Sequence, residues 1–446
     1  MDEMSGDEMM AAMGFTSFGR AHRDRSRVKS KRTEELPQLM PGTELVAKRA
    51  QFSIDSVEEG AHGVLSLLCR KDENCSLDAA LDENCSEDVE KKEQKLMANS
   101  LLQELQLEKN KFDELESSQF LSARAATNVF ETLGRHRFLN RSAMKLVTLD
   151  HIFQWTHGLE KAFSFADICG GPGGFSEYLL WRTGQTRDVH GYGITLKGAT
   201  NNCDWRLPSN FRDMFTICYG EDGTGNLYSL ANIHNFRDVV RGQHPGGVDL
   251  AVADGGFLDA RSQSNQEPMM TRLILAEVLA MFAVLRVGGD FVCKTFELAT
   301  PTMLELCWVL HRCFERFAVV KPITSRPASS ERYIVAQGLR AGHPTSKLVK
   351  MLEDRLGQGN NDASKDFQLR FLQEQTSVRE DVDFLQYLTV ANEAIARRQI
   401  EACRRINEYA ANKNKRKARE DDAAIDTRQY YQCWQLGRIP RHGPAQ

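Results

Sequence analysis

Four ionisable residues stand where a folded sheet would gather them. Lys145 closes 140–145 (Asn-Arg-Ser-Ala-Met-Lys), Asp254 follows the apolar run Val252-Ala253 and precedes Gly255-Gly256, Lys294 ends Val292-Cys293, and Glu331 precedes Arg332-Tyr333. Lysines and carboxyls within reach of one another can take up, hold and direct a proton. Singly each has an ordinary explanation, since a lysine at a strand end is commonly solvated and an aspartate before Gly-Gly commonly forms a turn. Their joint placement carries the argument. A second signal is the run Cys169, Gly170, Gly171, Pro172, Gly173, Gly174, Phe175, directly after an apolar stretch. Glycine lets a ligand approach the backbone, and a helix starting there offers unpaired N–H groups. The run lacks Gly-x-Gly-x-x-Gly spacing, and no acid ends 193–197 (Gly-Ile-Thr-Leu-Lys) to hold a ribose, which argues against a dinucleotide.

The elements that must position these residues begin near residue 98. Apolar residues recur at helical spacing over 101–115, and from 162 short β-rich runs alternate with helical ones. The pattern predicts strands at 163–169, 190–196, 215–219, 249–253, 290–295, 317–322 and 332–337, with helices at 175–181, 269–285 and 301–314. Such alternation makes an α/β fold, a mostly parallel sheet with helices on both faces. The last two strands, joined by a short loop, pair antiparallel. Asp254 and Lys294, at strand ends of one sheet, then face the crevice of the glycine run. Beyond 345 the chain reads as helical and charged, most strongly over 378–411, where Glu393, Arg397, Glu401 and Arg405 alternate in sign along a solvated face. Residues 413–420 read as a linker and 427–436 as a last short helix.

The 446-residue chain has a net charge of −4, but this sums unlike segments and says little about nucleic-acid binding. A basic cluster, Arg20 to Arg32, precedes an acidic stretch in which Asp-Glu-Asn-Cys-Ser occurs twice, at 72–76 and 82–86. Such blocks bury too little apolar surface to offset the entropy of ordering them. The expected organisation is therefore a largely disordered charged tail at 1–95, an α/β domain at 96–345 and a helical extension at 346–446. The basic cluster reads as a nuclear-import signal, an RNA contact or a plain solvated tail. Eleven cysteines without a CxxC or Cys/His zinc spacing make disulfides and structural zinc unexpected, and no metal site is foreseen. No apolar run approaches the roughly 20 residues that span a bilayer, and no signal peptide is apparent, so a soluble intracellular protein is expected.

Taken in order, 140–145, 169–178, 193–198, 253–257, 293–296 and 321–333 resemble the FtsJ-type ribose 2′-O-methyltransferases, and within them the eukaryotic branch acting on capped mRNA. The likeness extends upstream to 109–115, Arg124 and 128–131, and downstream to 381–387 and 434–440. It implies a Rossmann-like class I methyltransferase fold, a seven-stranded sheet with an antiparallel last strand, and S-adenosylmethionine as cofactor. By this resemblance Lys145, Asp254, Lys294 and Glu331 match a Lys-Asp-Lys-Glu catalytic tetrad with Lys294 as base. A lysine base must first lose its proton; a second lysine and burial under the RNA favour that, whereas the two acids oppose it and fix direction. The cofactor would lie along 169–175, with Asp222, Gly223 and Asp254 as further contacts. Lys109, Asn110, Lys111, Phe112, Asp113, Arg124, Asn265 and Ser329 match positions holding capped RNA.

The implied partners are capped RNA and the transcription or RNA-processing machinery, in a nuclear, monomeric protein without a membrane. The chain departs from the family in reading Cys-Gly-Gly-Pro where Cys-Ala-Gly-Pro is usual. Residues 9–19 are only faintly similar to a glycine patch, and the WW and guanylyltransferase-like modules of the animal relatives have no counterpart here. Two other readings stay open: a 2′-O-methyltransferase of ribosomal or transfer RNA, and an inactive RNA-binding scaffold.

Overall fold

In the computed structural model, the described residues are 68–69, 97–131, 133, 137–157, 162–184, 188–198, 203–256, 266–358, 378, 381–411, 430–432 and 434–436. The basic cluster, both acidic repeats, the 413–420 segment and Asn265 lie outside them. The strands are β1 (Leu68–Cys69), β2 (Phe163–Ile168), β3 (Val189–Ile194), β4 (Phe215–Cys218), β5 (Val248–Ala253), β6 (Leu285–Thr295), β7 (Phe314–Val320) and β8 (Arg332–Leu339). They form one sheet in the order β1-β7-β8-β6-β5-β2-β3-β4. The pairs from β4 across to β6 are parallel, while β8 runs antiparallel between β6 and β7.

Two features of the sheet differ from the sequence expectation. The sheet has an eighth strand, because Leu68 and Cys69 pair antiparallel with Phe317 and Arg316 on its edge. Two residues are too few to show a periodicity. Strand β6 starts at Leu285 rather than 290, since Gly288 at φ +74° lets the chain pass an irregular register against β5 instead of turning.

The helices are α1 (Asn99–Asn110), α2 (Ser117–Ala126), α3 (Ser142–Phe153), α4 (Gly174–Thr183), α5 (Leu230–Gln243), α6 (Gln266–Val284), α7 (Pro301–Cys313), α8 (Ser346–Gln358) and α9 (Val382–Ala411). Along β2 the alternation of a strand sorts side chains to two faces. Phe163 and Phe165 join a core with α3, α4, Tyr430, Trp434 and Leu436, whereas Ala166 and Ile168 join one with α5 to α9. Helix α7 starts sharply because Thr300 accepts from the Met303 N–H and Pro301 takes the first helical position. A smaller cluster, Met97, Leu101 and Leu105 against Ala396, Ile400 and Cys403, joins α1 to the second half of α9.

The chain builds β2, β3 and β4 outward in one direction, then returns to lay β5 on the other side of β2. That reversal opens a crevice at the carboxyl ends of β2 and β5, where open α/β sheets bind ligands.

Candidate active site

The residues following β2, β5 and β6 are Cys169, Asp254 and, within the end of β6, Lys294, so neighbouring strands bring them side by side. Lys294 Nζ donates to the Asp254 carbonyl at 2.8 Å and pairs with Asp254 Oδ1 at 3.3 Å. Lys145, in the first turn of α3, lies 3.7 Å from Asp254 Oδ2 and donates to Glu331 Oε2 at 2.8 Å. Glu331, just ahead of β8, also accepts from Ser325 Oγ at 2.6 Å. The four groups thus form one alternating chain of charge, Lys294–Asp254–Lys145–Glu331, in which each lysine has a carboxylate partner.

All four side chains keep a little solvent access, from 9% for Lys294 to 18% for Glu331, so the cluster lines an opening rather than the core. Burial opposes the charge on Glu331, but Lys145 and Lys294 outweigh it and hold the carboxyl well below its ordinary range.

Two residues outside the expected set complete the cluster. Tyr333 donates its hydroxyl to Asp254 Oδ1 at 2.8 Å, and burial together with the neighbouring carboxylates keeps that hydroxyl protonated. Lys321, fully enclosed, donates to the Ser329 and Glu331 carbonyls at 2.6 and 2.7 Å and so fixes the main chain that carries Glu331. Burial lowers its ammonium to about 7, against the pull of Glu331. Both lie within 321–333 already, but nothing in a linear pattern says which way a side chain turns.

The glycine run is packed from both sides. A Cβ on Gly171 would sit 1.5 Å from the Cys203 carbonyl oxygen, and one on Gly174 would sit 2.2 Å from Asn140 Oδ1. Gly173, at φ +114°, has a backbone that side chains rarely adopt. Gly170 lies over the carboxyl of Asp167, which receives Ser176 Oγ at 2.6 Å and ties the first turn of α4 to β2. Burial raises Asp167 to about 7. Phe175 points into the core beside Tyr333, with ring centroids 6.3 Å apart, so what it can offer a ligand is main chain.

The loop after β4 forms the next wall of the crevice. Gly225 is pressed on the Thr195 carbonyl, and Thr195 Oγ1 in turn meets the Gly171 N–H at 3.3 Å. Asp222, exposed, accepts from the amide and hydroxyl of Thr224 and from Asn232 Nδ2, and these bonds hold its carboxyl below the usual range. Gly223 has open space around it.

Residues 138–339 match the FtsJ-like methyltransferase family. The chain carries an FtsJ-like methyltransferase domain. It is 34% identical over 357 residues to cap-specific mRNA (nucleoside-2′-O-)-methyltransferase 1 of Danio rerio, covering 74% of this chain and 41% of that protein. The Drosophila melanogaster protein of that name is 35% identical over 326 residues (68% and 40%), and the Homo sapiens one 34% over 323 residues (68% and 38%). The chain therefore spans about two fifths of the length of the curated relatives it matches.

Outside the FtsJ-like domain, α1, α2 and the short helix Lys111–Glu114 bring further candidates to its rim. Phe112 packs on Phe120 with centroids 4.9 Å apart and, with Ala328 of the loop before Glu331, covers the cluster between α1 and α9. Lys111 pairs with Glu108 at 2.9 Å, Asn110 accepts from Gln106, and Lys109 is near enough to Lys321 to act on it electrostatically. Asp113 is exposed, and Ser329 lies in the loop gripped by Lys321. Arg124 is drawn to Glu131 at 3.2 Å, as are Arg141 at 2.9 Å and Arg326 at 2.9 Å.

Three guanidiniums from separate elements therefore share one carboxylate, which leaves an excess of positive charge beside the site. Burial alone would raise Glu131, yet Arg326, Arg141 and Arg124 bring it down to about 2. The arginines fare worse: burial and crowding by Arg326 lower Arg124 to about 10. Because the folded value of Glu131 lies below its ordinary one, its contribution to stability is complete above pH ~4.5 and vanishes as pH falls through ~2. Glu131→Gln should thus lower stability by about 2 kcal/mol at neutral pH, with the gap closing towards pH ~2. Urea unfolding curves at several pH values check this; a gap that ignores pH would contradict it.

Proposed function

We propose that this protein transfers a methyl group to the ribose 2′-hydroxyl of the first transcribed nucleotide of capped mRNA, using S-adenosylmethionine. The observation that carries the reading is the convergence of Lys145, Asp254, Lys294 and Glu331 next to the glycine run at the β2–β5 crevice.

The residues suit the cofactor. The start of α4, reached through glycines, presents main-chain N–H groups that favour a carboxylate, and the 220–225 loop lies one wall further along. The run 169–175, Asp222, Gly223 and Asp254 would hold it. When bound it supplies a methyl group on a positively charged sulfur, ready for attack by an oxygen nucleophile.

A ribose hydroxyl is a poor nucleophile and must give up its proton as it attacks. Lys294 Nζ, once it has given its own proton to solvent, would receive that proton, aimed by its bonds to the carbonyl and carboxylate of Asp254. Lys145 meets the far side of Asp254, and Glu331 holds Lys145 there. Fixing the hydroxyl in line can lower the barrier by several kcal/mol, an effect as large as proton removal.

The rim residues Lys109, Asn110, Lys111, Phe112, Asp113, Arg124, Asn265 and Ser329 would receive the capped end. Phe112, partly buried against Phe120, is the aromatic of this set that would lie beside the cationic base, and the arginines around Glu131 would meet phosphates. A monomer working in the nucleus alongside the RNA-processing machinery completes the reading. Residues 346–446 act with the 96–345 unit, since Arg332, next to Glu331, donates to Asn392 of α9 at 2.6 Å.

Short capped and uncapped RNAs of one sequence, incubated with labelled cofactor, test it. Label on capped RNA alone is expected. Equal label on both points to ribosomal or transfer RNA as substrate, and label on neither points to a scaffold without turnover.

A further inference from the structure

The peptide unit between Asp254 and Gly255 is gripped at both ends. Its carbonyl accepts from Lys294 Nζ at 2.8 Å, and its N–H donates to Glu277 Oε1 at 3.1 Å. Glu277, on α6, has no exposed surface, so it cannot touch a substrate. Its other oxygen accepts from Cys293 Sγ at 3.5 Å, the residue before Lys294.

Glycine lets these groups close tightly on the turn. A Cβ on Gly255 would lie 2.2 Å from Glu277 Oε1 and 3.0 Å from Cys169 Cβ, and one on Gly256 would lie 3.0 Å from Lys294 Nζ. The Asp254-Gly255-Gly256 sequence is therefore a thin turn pressed between a buried carboxyl and the amine at the crevice. Hydrogen bonds in series through one peptide strengthen and align each other, so an acceptor on the nitrogen side fixes where the oxygen points.

We propose that Glu277 is a positioning residue for methyl transfer: by anchoring the Gly255 N–H it holds the Asp254 carbonyl where it aims the Lys294 amine into the crevice. The inference rests on the reading of Lys294 as the base. Burial raises the Glu277 carboxyl to about 8, opposed first by Lys294, so at neutral pH it is mostly uncharged and glutamine is a close replacement.

The test uses the full chain in single turnover on capped RNA, with cofactor affinity by calorimetry. Glu277→Gln keeps the acceptor and should stay within about threefold of the native rate. Glu277→Leu leaves the Gly255 N–H buried without an acceptor and should slow transfer about ten- to hundredfold, while the KM for RNA moves less than about twofold and cofactor affinity, which Glu277 reaches through its bond to the Cys169 thiol, less than about fivefold. Amide hydrogen exchange resolved at Gly255 should be slow in the native and Gln chains and fast in the Leu chain. A Leu variant with native turnover overturns the proposal, as does a Gln variant as slow as Leu.

Should the Leu variant not fold, native exchange decides, since a Gly255 amide exchanging like an exposed turn rules the anchor out. Should the native chain methylate no RNA, the functional reading fails by itself, and exchange still tests the anchor.

Discussion

Lys294→Ala is expected to lower methyl transfer by about a thousandfold while cofactor affinity stays within a few-fold. The substitution removes the only cluster amine bonded to both the carbonyl and the carboxylate of Asp254 among the described residues. Asp254 is not left stranded: Lys145 remains at 3.7 Å and the Tyr333 hydroxyl at 2.8 Å, so the site keeps its shape and the chain its fold. The glycine run is untouched. Single-turnover rates beside calorimetric titration with the demethylated cofactor separate the two effects. Near-native turnover would remove Lys294 from its role, and a parallel loss of cofactor affinity would make it a binding residue.

Gly173→Val should act the other way, weakening cofactor binding at least about a hundredfold and lowering stability by about 2 kcal/mol. At φ +114° a β-branched side chain is strained wherever it points, and its Cβ would meet Leu207 Cδ2 at 2.8 Å and Trp205 Cε3 at 3.3 Å. Relief would have to come from the 203–208 segment, which is tied to the run because Arg206 N–H donates to the Pro172 carbonyl at 3.0 Å. The variant therefore moves the wall as well as the loop. Calorimetry and thermal unfolding check both parts; unchanged cofactor affinity would place the cofactor elsewhere.

The sheet was legible in the sequence because its strands are apolar on both faces and bounded by clear breaks, as in Phe163–Ile168 and Val248–Ala253. Three helices went unread, α2 (Ser117–Ala126) among them, and the other two for opposite reasons. In α3 apolar residues occupy nearly every direction (Ala143, Met144, Leu146, Val147, Leu149), so no stripe stands out. In α5 the stripe was present at Ile233, Phe236 and Val240, but the polar residues between them outweighed it.

Of the four converging residues, Asp254 and Lys294 were legible because strand ends of one sheet must be neighbours, and Glu331 because it leads into the strand paired with β6, whereas Lys145, on α3, was placed by the family resemblance. Their supports were not. Arg326 reaches Glu131 across 195 residues and Tyr333 reaches Asp254 across 79, and no local pattern records a pairing made only on folding. Glu277 was hidden among Leu275, Ala276 and Val278, where an acid with apolar neighbours carries no sign of what it holds.

The most direct measurement is the position of the transferred methyl. A capped transcript treated with the native chain and S-adenosylmethionine is digested to nucleosides and cap dinucleotides, and the products are weighed by mass spectrometry. One added methyl on the ribose 2′-oxygen of the first nucleotide, absent with the Lys294→Ala chain, is the predicted result. A methyl on a base or on an internal ribose, or one that persists without Lys294, would contradict it.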